Sequence, residues 1–273
     1  MRTPRPLVIW LLATLLGAAT PQNPQSRNAG DGRCESPDWD VRIAGCTALI
    51  QSGRETPSAL AIDYNNRGIA YRNKGEYDRA IADFDRAIDM APEFAVALSN
   101  RGNAYRGKGE YDRAIRDFDE AIRLQPDFVA ALNGRGQAYR AKGDYDRAIR
   151  DFTQAIDLDP QYPGAWNSRC YVRAIAGEAM AALADCNQAL QLRPDDPNIL
   201  DSRGFVYVKL GRFKEAVADY DAALRGAPTA SSLYGRGVAK RAMGDMGGGA
   251  ADMEAARKLD AGAVAELARF GLQ

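Results

Sequence analysis

A phrase of 34 residues, returning along most of this 273-residue chain, constrains its fold more than any other feature. Gly68, Gly102 and Gly136 stand 34 residues apart, and so do Tyr71, Tyr105 and Tyr139. The run EYDRAIADFDRAI at 76–88 returns as EYDRAIRDFDEAI at 110–122 and as DYDRAIRDFTQAI at 144–156. A unit of this length cannot bury its apolar faces alone. Neighbours must stack, and stability becomes a chain of nearest-neighbour contacts.

Within a unit the apolar positions fall at helical spacing. Tyr64, Gly68 and Tyr71 share one face of a first helix; Tyr77, Ala80, Ile81, Phe84, Ala87 and Ile88 share one face of a second. Gly75 ends the first helix, with Lys74 beside its negative end. Glu76 and Asp78 open the second helix, and Pro92, which cannot continue it, closes the unit. Gly68 with Ala80 leaves no bulk where the two helices cross, and Gly102 with Ala114 and Gly136 with Ala148 repeat the arrangement. The pattern predicts an all-α array of six helix hairpins at 61–94, 95–128, 129–162, 163–196, 197–229 and 230–263. Pro163 and Pro197 take the first helical position of units four and five, where a missing N–H costs nothing. Residues 38–60 are expected to hold an amino-terminal cap helix and a connection, since IAGCTALI at 43–50 matches ALADCNQAL of unit four. Residues 264–273, with Val264, Leu267 and Phe270, are expected to form a capping helix over the last unit.

Period and residue pattern together resemble the tetratricopeptide repeat family, over roughly four-fifths of the chain beyond residue 19. The resemblance implies a right-handed superhelical solenoid whose first helices line a concave face, against which extended peptides or partner helices lie. Mapped onto this chain, the outward positions of the first three units are Asn65, Arg72, Asn103, Arg106, Asn133, Gln137 and Arg140. Those of the last three are Tyr171, Phe205, Val208, Tyr234 and Val238. The first group suits backbone amides and carboxylates, because Asn both donates and accepts while Arg forks onto acids. The second suits an apolar or aromatic side chain. Two blander readings stay open: the three arginines as solvated side chains copied by duplication, and Tyr171 and Phe205 as packing between repeats. The carboxylate clamp of chaperone-binding relatives needs a Lys or Arg and an Asn four apart in the first helix. Unit one has Asn65 and Ile69 there, so that activity is not implied. The later units depart from the pattern at Cys170, at Arg173 and Lys240 in place of Tyr, and at Gly247–Gly249, where local order at 245–250 is expected to suffer.

Residues 1–19 read as an export signal. Arg2 and Arg5 precede an apolar core at 7–19, which ends in Gly17-Ala18-Ala19, a small-residue cleavage site. That core has 13 residues, whereas a membrane span needs about 20, so cleavage is expected over retention as an anchor. Residues 20–37 read as a flexible tether, rich in Pro, Asn, Gln and Gly at its start. Removing 1–19 takes two Arg from the 36 basic residues and nothing from the 36 acidic ones, leaving a formal charge of −2. No basic excess points to nucleic acid. The protein is expected in the periplasm or outside the cell, with no stable membrane insertion once the signal is removed.

Four cysteines allow three pairings, and the repeat register chooses among them. Cys170 takes the close-crossing Gly position of unit four, while Cys186 takes the position of Phe84, Phe118, Phe152 and Tyr220. The two replacements face one seam, predicting Cys170–Cys186; Cys34–Cys46 would then pin the amino-terminal segment to its helix. An oxidising compartment agrees with this.

Arg67, Arg101, Arg135, Arg169, Arg203 and Arg236 precede the small residue of all six units. Asp83, Asp117, Asp151, Asp185, Asp219 and Asp252 recur in all six second helices. Charge drawn into such an interface needs a partner and further hydrogen bonds, so each Arg is expected to reach an Asp of its own or an adjoining unit. The rival is a ladder of anion-binding arginines.

There is no His anywhere, which removes the commonest general base and metal ligand. No phosphate-binding Gly loop followed by Lys and Ser or Thr occurs, and no metal-ligand spacing. The chain is therefore expected to be a non-enzymatic exported scaffold that needs no cofactor or metal and holds a protein or peptide in its groove. The alternative is a carrier or sensor of an anionic small molecule or glycan at Arg72, Arg106 and Arg140.

Overall fold

The computed structural model describes residues 32–272, among which are fourteen α-helices, one 3-10 turn and no strand. The export signal at 1–19 and most of the 20–37 stretch lie outside the described residues. After the turn Gly32–Glu35 comes a lone helix, α1 (Trp39–Ser52), whose free N–H groups are capped by the Asp38 carboxylate. Six hairpins follow: α2 (Pro57–Asn73) with α3 (Tyr77–Met90), α4 (Ala95–Gly107) with α5 (Tyr111–Leu124), α6 (Val129–Ala141) with α7 (Tyr145–Leu158), α8 (Pro163–Ile175) with α9 (Ala179–Leu192), α10 (Pro197–Lys209) with α11 (Phe213–Ala223), and α12 (Ala230–Ala242) with α13 (Met246–Leu259). A last helix, α14 (Ala261–Arg269), follows unit six. Each helix packs on its hairpin partner and on the helix that follows. The first helices also touch across units, α2 on α4 through to α10 on α12, so the array is an all-α repeat superhelix with one wall made of first helices. Among the described residues no helix is long and apolar enough to cross a membrane.

The small residues work as the spacing predicts. A Cβ on Gly68 would lie 2.7 Å from the Phe84 ring, on Gly102 3.1 Å from Phe118, and on Gly136 2.6 Å from Phe152. The aromatic ring of the second helix fills the space that each glycine leaves. In unit four the same two places hold Cys170 and Cys186, joined as a disulfide across the seam with Cα atoms 5.4 Å apart and both side chains fully buried. Cys34 and Cys46 are likewise joined, with Cα atoms 4.5 Å apart.

Three expectations are corrected. The described end of the 20–37 stretch is not a tether: Gly32–Glu35 is an ordered turn and Cys34 is buried against α1. Gly247–Gly249 do not disturb unit six. The helix α13 begins there, with the Asp245 carboxylate accepting from the Gly248 N–H at 2.8 Å. Gly249 is required, since a Cβ on it would sit 2.7 Å from the Gly237 carbonyl oxygen, where α12 and α13 cross backbone to backbone. Finally, α14 does more than cover the last unit. It packs on both α12 and α13, and the residues after it turn back along the wall of first helices.

Candidate functional site

The wall of first helices is held in register by the arginine–aspartate ladder. In every unit the Arg of the first helix forks onto the Asp of its own second helix, with Nε and Nη2 donating to the two carboxylate oxygens. The distances run from 2.7 to 2.9 Å for Arg67–Asp83, Arg101–Asp117, Arg135–Asp151, Arg169–Asp185, Arg203–Asp219 and Arg236–Asp252. The remaining Nη1 reaches back to the preceding second helix: to Asp85, Asp119, Thr153, Asn187 and Asp221 from units two to six, and to Thr47 of α1 from unit one. One guanidinium thus ties three helices together. The hydrogen bonds to Asp117 push the Arg101 guanidinium above its usual range, and those to Asp83 do the same for Arg67. These cations are structural and closed to a ligand.

Arg173 and Lys240, which replace the repeat Tyr in units four and six, join the ladder. Arg173 Nη1 donates to Asp185 at 2.8 Å and Lys240 Nζ to Asp252 at 2.9 Å. Elsewhere the Tyr ring carries a cation from the next helix, with Arg79 4.0 Å from Tyr71, Arg113 4.4 Å from Tyr105 and Arg147 4.6 Å from Tyr139. In units four and six that cation is gone, since Ala181 and Gly248 stand in its place. The positive charge has moved from the second helix to the first.

The groove itself is unlike along its length. In its first half Asn65 is buried and accepts from Asn100 Nδ2 at 2.9 Å, while Arg72 donates to Asn100 Oδ1 at 3.3 Å. Asn103 donates to the Ser99 carbonyl, and its own Oδ1 accepts from Arg106 at 3.3 Å. Asn133 keeps a buried Oδ1 with no hydrogen-bond partner, and so does the Nε of Arg106. Gln137 donates to Ser168 at 2.7 Å and accepts from Arg140 Nε at 3.1 Å. Burial and the neighbouring guanidinium pull Arg72 and Arg106 below the usual arginine range, Arg106 acting on Arg72 and Arg140 on Arg106. The three charges form one half-buried row.

The second half is not open. Phe205, Tyr234 and Val238 are 2%, 4% and 7% exposed, packed with Val264, Leu267 and Leu272 of the chain's own end. The expectation that Phe205 and its neighbours present an apolar surface is corrected, because α14 and the residues after it cover them. The Tyr234 hydroxyl donates to the Leu272 carbonyl at 3.2 Å, and Lys209 Nζ donates to the Phe270 carbonyl at 2.7 Å. Tyr171 sits at the boundary, 5.4 Å from the Phe205 ring and 5.6 Å from the Arg140 guanidinium; burial pushes its hydroxyl up to about 12. Here α14 roofs a cavity of about 340 Å³ whose lining includes Arg140, Asn167, Tyr171, Asp201 and Glu266. Asn65 is also closed off, being 4% exposed under the Asn100 amide. The sequence signal for the covering was present, since Val264, Leu267 and Phe270 recur at spacing three. Only their destination was hidden. Among the described residues no cluster of His, Cys, Asp or Glu could hold a metal ion.

Stacked hairpins with a wall of first helices define a helical repeat scaffold. Two models described as tetratricopeptide repeat match the chain, one at 65–127, 99–163 and 133–197 and the other at 173–234, and the chain belongs to this family. Such proteins are in general interaction scaffolds without catalysis. Solved structures with this fold include a tetratricopeptide repeat protein of Parabacteroides merdae, 21% identical, with a TM-score of 0.67 over 86% of this chain and 93% of its own. A thermophilic repeat protein of Thermus thermophilus is 26% identical, with a TM-score of 0.57 over 67% of this chain and 98% of its own. The repeat protein YrrB, described with an unusual peptide-binding site, is 21% identical, with a TM-score of 0.50 over 69% of this chain and 95% of its own. Among curated proteins none matches this chain in sequence.

Proposed function

We propose that this protein is an exported, non-enzymatic scaffold that holds a protein or peptide segment in the groove of its first helices. The observation that carries the reading is the row Arg72, Arg106 and Arg140, half-buried in the wall and spared from the ion-pair ladder that engages the arginine before each unit's small residue. Export is supported by the leader-like residues 1–19 and by four cysteines that all fall in two bonded pairs, as an oxidising compartment favours. A carrier of a small acid fits less well. The cavity beside Arg140 also carries the Asp201 and Glu266 carboxyl groups, which disfavour an acid there.

The test is crosslinking in the intact cell, with the captured proteins identified by mass spectrometry, for the natural chain and for Arg72/Arg106/Arg140→Glu. A partner captured by the natural chain and lost from a still-folded variant is the expected result. Equal capture by both would move the contact away from this groove. Thiol counting on the exported protein should find none free; four free thiols would overturn the compartment.

A further inference from the structure

The row of arginines is unevenly satisfied. Arg140 has a carboxylate, Glu266 of α14, 3.9 Å away and supplied by the chain's own end. Arg72 and Arg106 have none: among the described residues no acid lies within ion-pair distance of either, and each donates only to an Asn side chain. The Arg106 Nε is buried and makes no hydrogen bond. Elsewhere on the chain, every ladder arginine forks onto an Asp and lends its third nitrogen to a further oxygen. An unneutralised, half-buried pair beside a third cation is costly unless an anion completes it.

We propose that the partner segment is acidic, and that Arg72 and Arg106 receive its carboxylates as Arg140 receives Glu266. This rests on the scaffold reading above and names the partner's chemistry. The spacing is set by the wall. Neighbouring packed helices lie about 8–10 Å apart, and a segment in the polyproline II conformation advances about 3.1 Å per residue with about three residues per turn. Its side chains therefore return to the wall, opposite successive arginines, at every third residue. The segment enters at unit one and runs toward α14, whose Glu266 already holds the last place. The buried Asn133 Oδ1, without a partner between Arg106 and Arg140 in chain order, offers an acceptor for a backbone N–H of that segment. Small free acids lack this spacing and bind one arginine at a time.

The probe is a short fluorescein-labelled peptide with Glu at every third position and Ser or Gly between, compared with its Gln counterpart and titrated by anisotropy. The Glu peptide should bind the full chain roughly tenfold or more tighter than the Gln peptide, as expected for charge-assisted hydrogen bonds, and salt should weaken it. Arg106→Gln should lose most of this difference while melting no lower than the natural chain, since it relieves like-charge crowding. Glu266→Gln should tighten the Glu peptide severalfold by freeing Arg140. Equal binding of the two peptides, or no binding of either, would overturn the proposal. Displacement by an equal concentration of free glutarate would assign the row to small acids and overturn it too. The scaffold reading fails separately: a protein captured in the cell through this groove while the Glu peptide stays unbound keeps the scaffold and removes only its acidic preference.

Discussion

Each ladder arginine presents five N–H donors in a rigid fork, and the structure places acceptors on both of its edges. The own-unit Asp takes one edge and the preceding helix takes the tip. The carboxylates are 4–11% exposed at their side chains, so a lost partner leaves a poorly solvated charge. Asp117→Ala should therefore destabilise by about 3 kcal/mol, within the range for breaking a buried pair, because Arg101 would keep only Asp85. Equilibrium urea unfolding reads this directly. An unchanged midpoint would show that the ladder contributes register alone. The contrast with Arg72 and Arg106 is one of surroundings: the same side chain is a brace where an Asp faces it, and donates only to an Asn side chain where none does.

At the scale of the helix, the repeat tolerates exchange when both sides of a contact change together. Gly with Phe becomes Cys with Cys in unit four and Gly with Met253 in unit six. Tyr with Arg becomes a basic residue with Ala or Gly in the same two units. The start of α13 separates glycines that are needed from one that is not. Gly247 has nothing within 4 Å of a would-be Cβ, whereas Gly249 meets the Gly237 carbonyl. Gly247→Ala should stabilise by about 0.5 kcal/mol through helix propensity. Gly249→Ala should destabilise by about 1–3 kcal/mol through overpacking. Thermal melts of the two single variants check the pair, and equal shifts of the same sign would contradict the crossing geometry.

Across the whole molecule, the two halves of the groove differ in what fills them. The carboxyl-terminal residues lie on units five and six, with a last contact at Arg140 of unit three. Stability in a solenoid is passed between neighbours, so losing this segment should loosen only what it touches. Truncation after Leu259 should raise amide hydrogen exchange in α10 and α12 while leaving α4 and α5 protected. Uniform loss of protection would mean that the array unfolds as one body instead.

The period, the helix pairs, the glycine seams, the Cys170–Cys186 pairing and the partners of the ladder were all legible in the chain. Each is a contact between fixed offsets, such as the 16 residues from Arg101 to Asp117, and a repeat displays such offsets several times over. Helix propensity makes Gly247–Gly249 a weak point because it acts on one helix, whereas Gly249 answers to a carbonyl on another. Occupancy of the groove was beyond the pattern altogether. Residues 261–272 occur once, and their contacts reach back as far as the 61 residues from Lys209 to Phe270, so no recurrence records where they go. The sequence determined the wall and its row of arginines. Burial of Val264, Leu267 and Leu272 against Phe205 and Tyr234, a long-range hydrophobic choice, decided which half of that wall stays open.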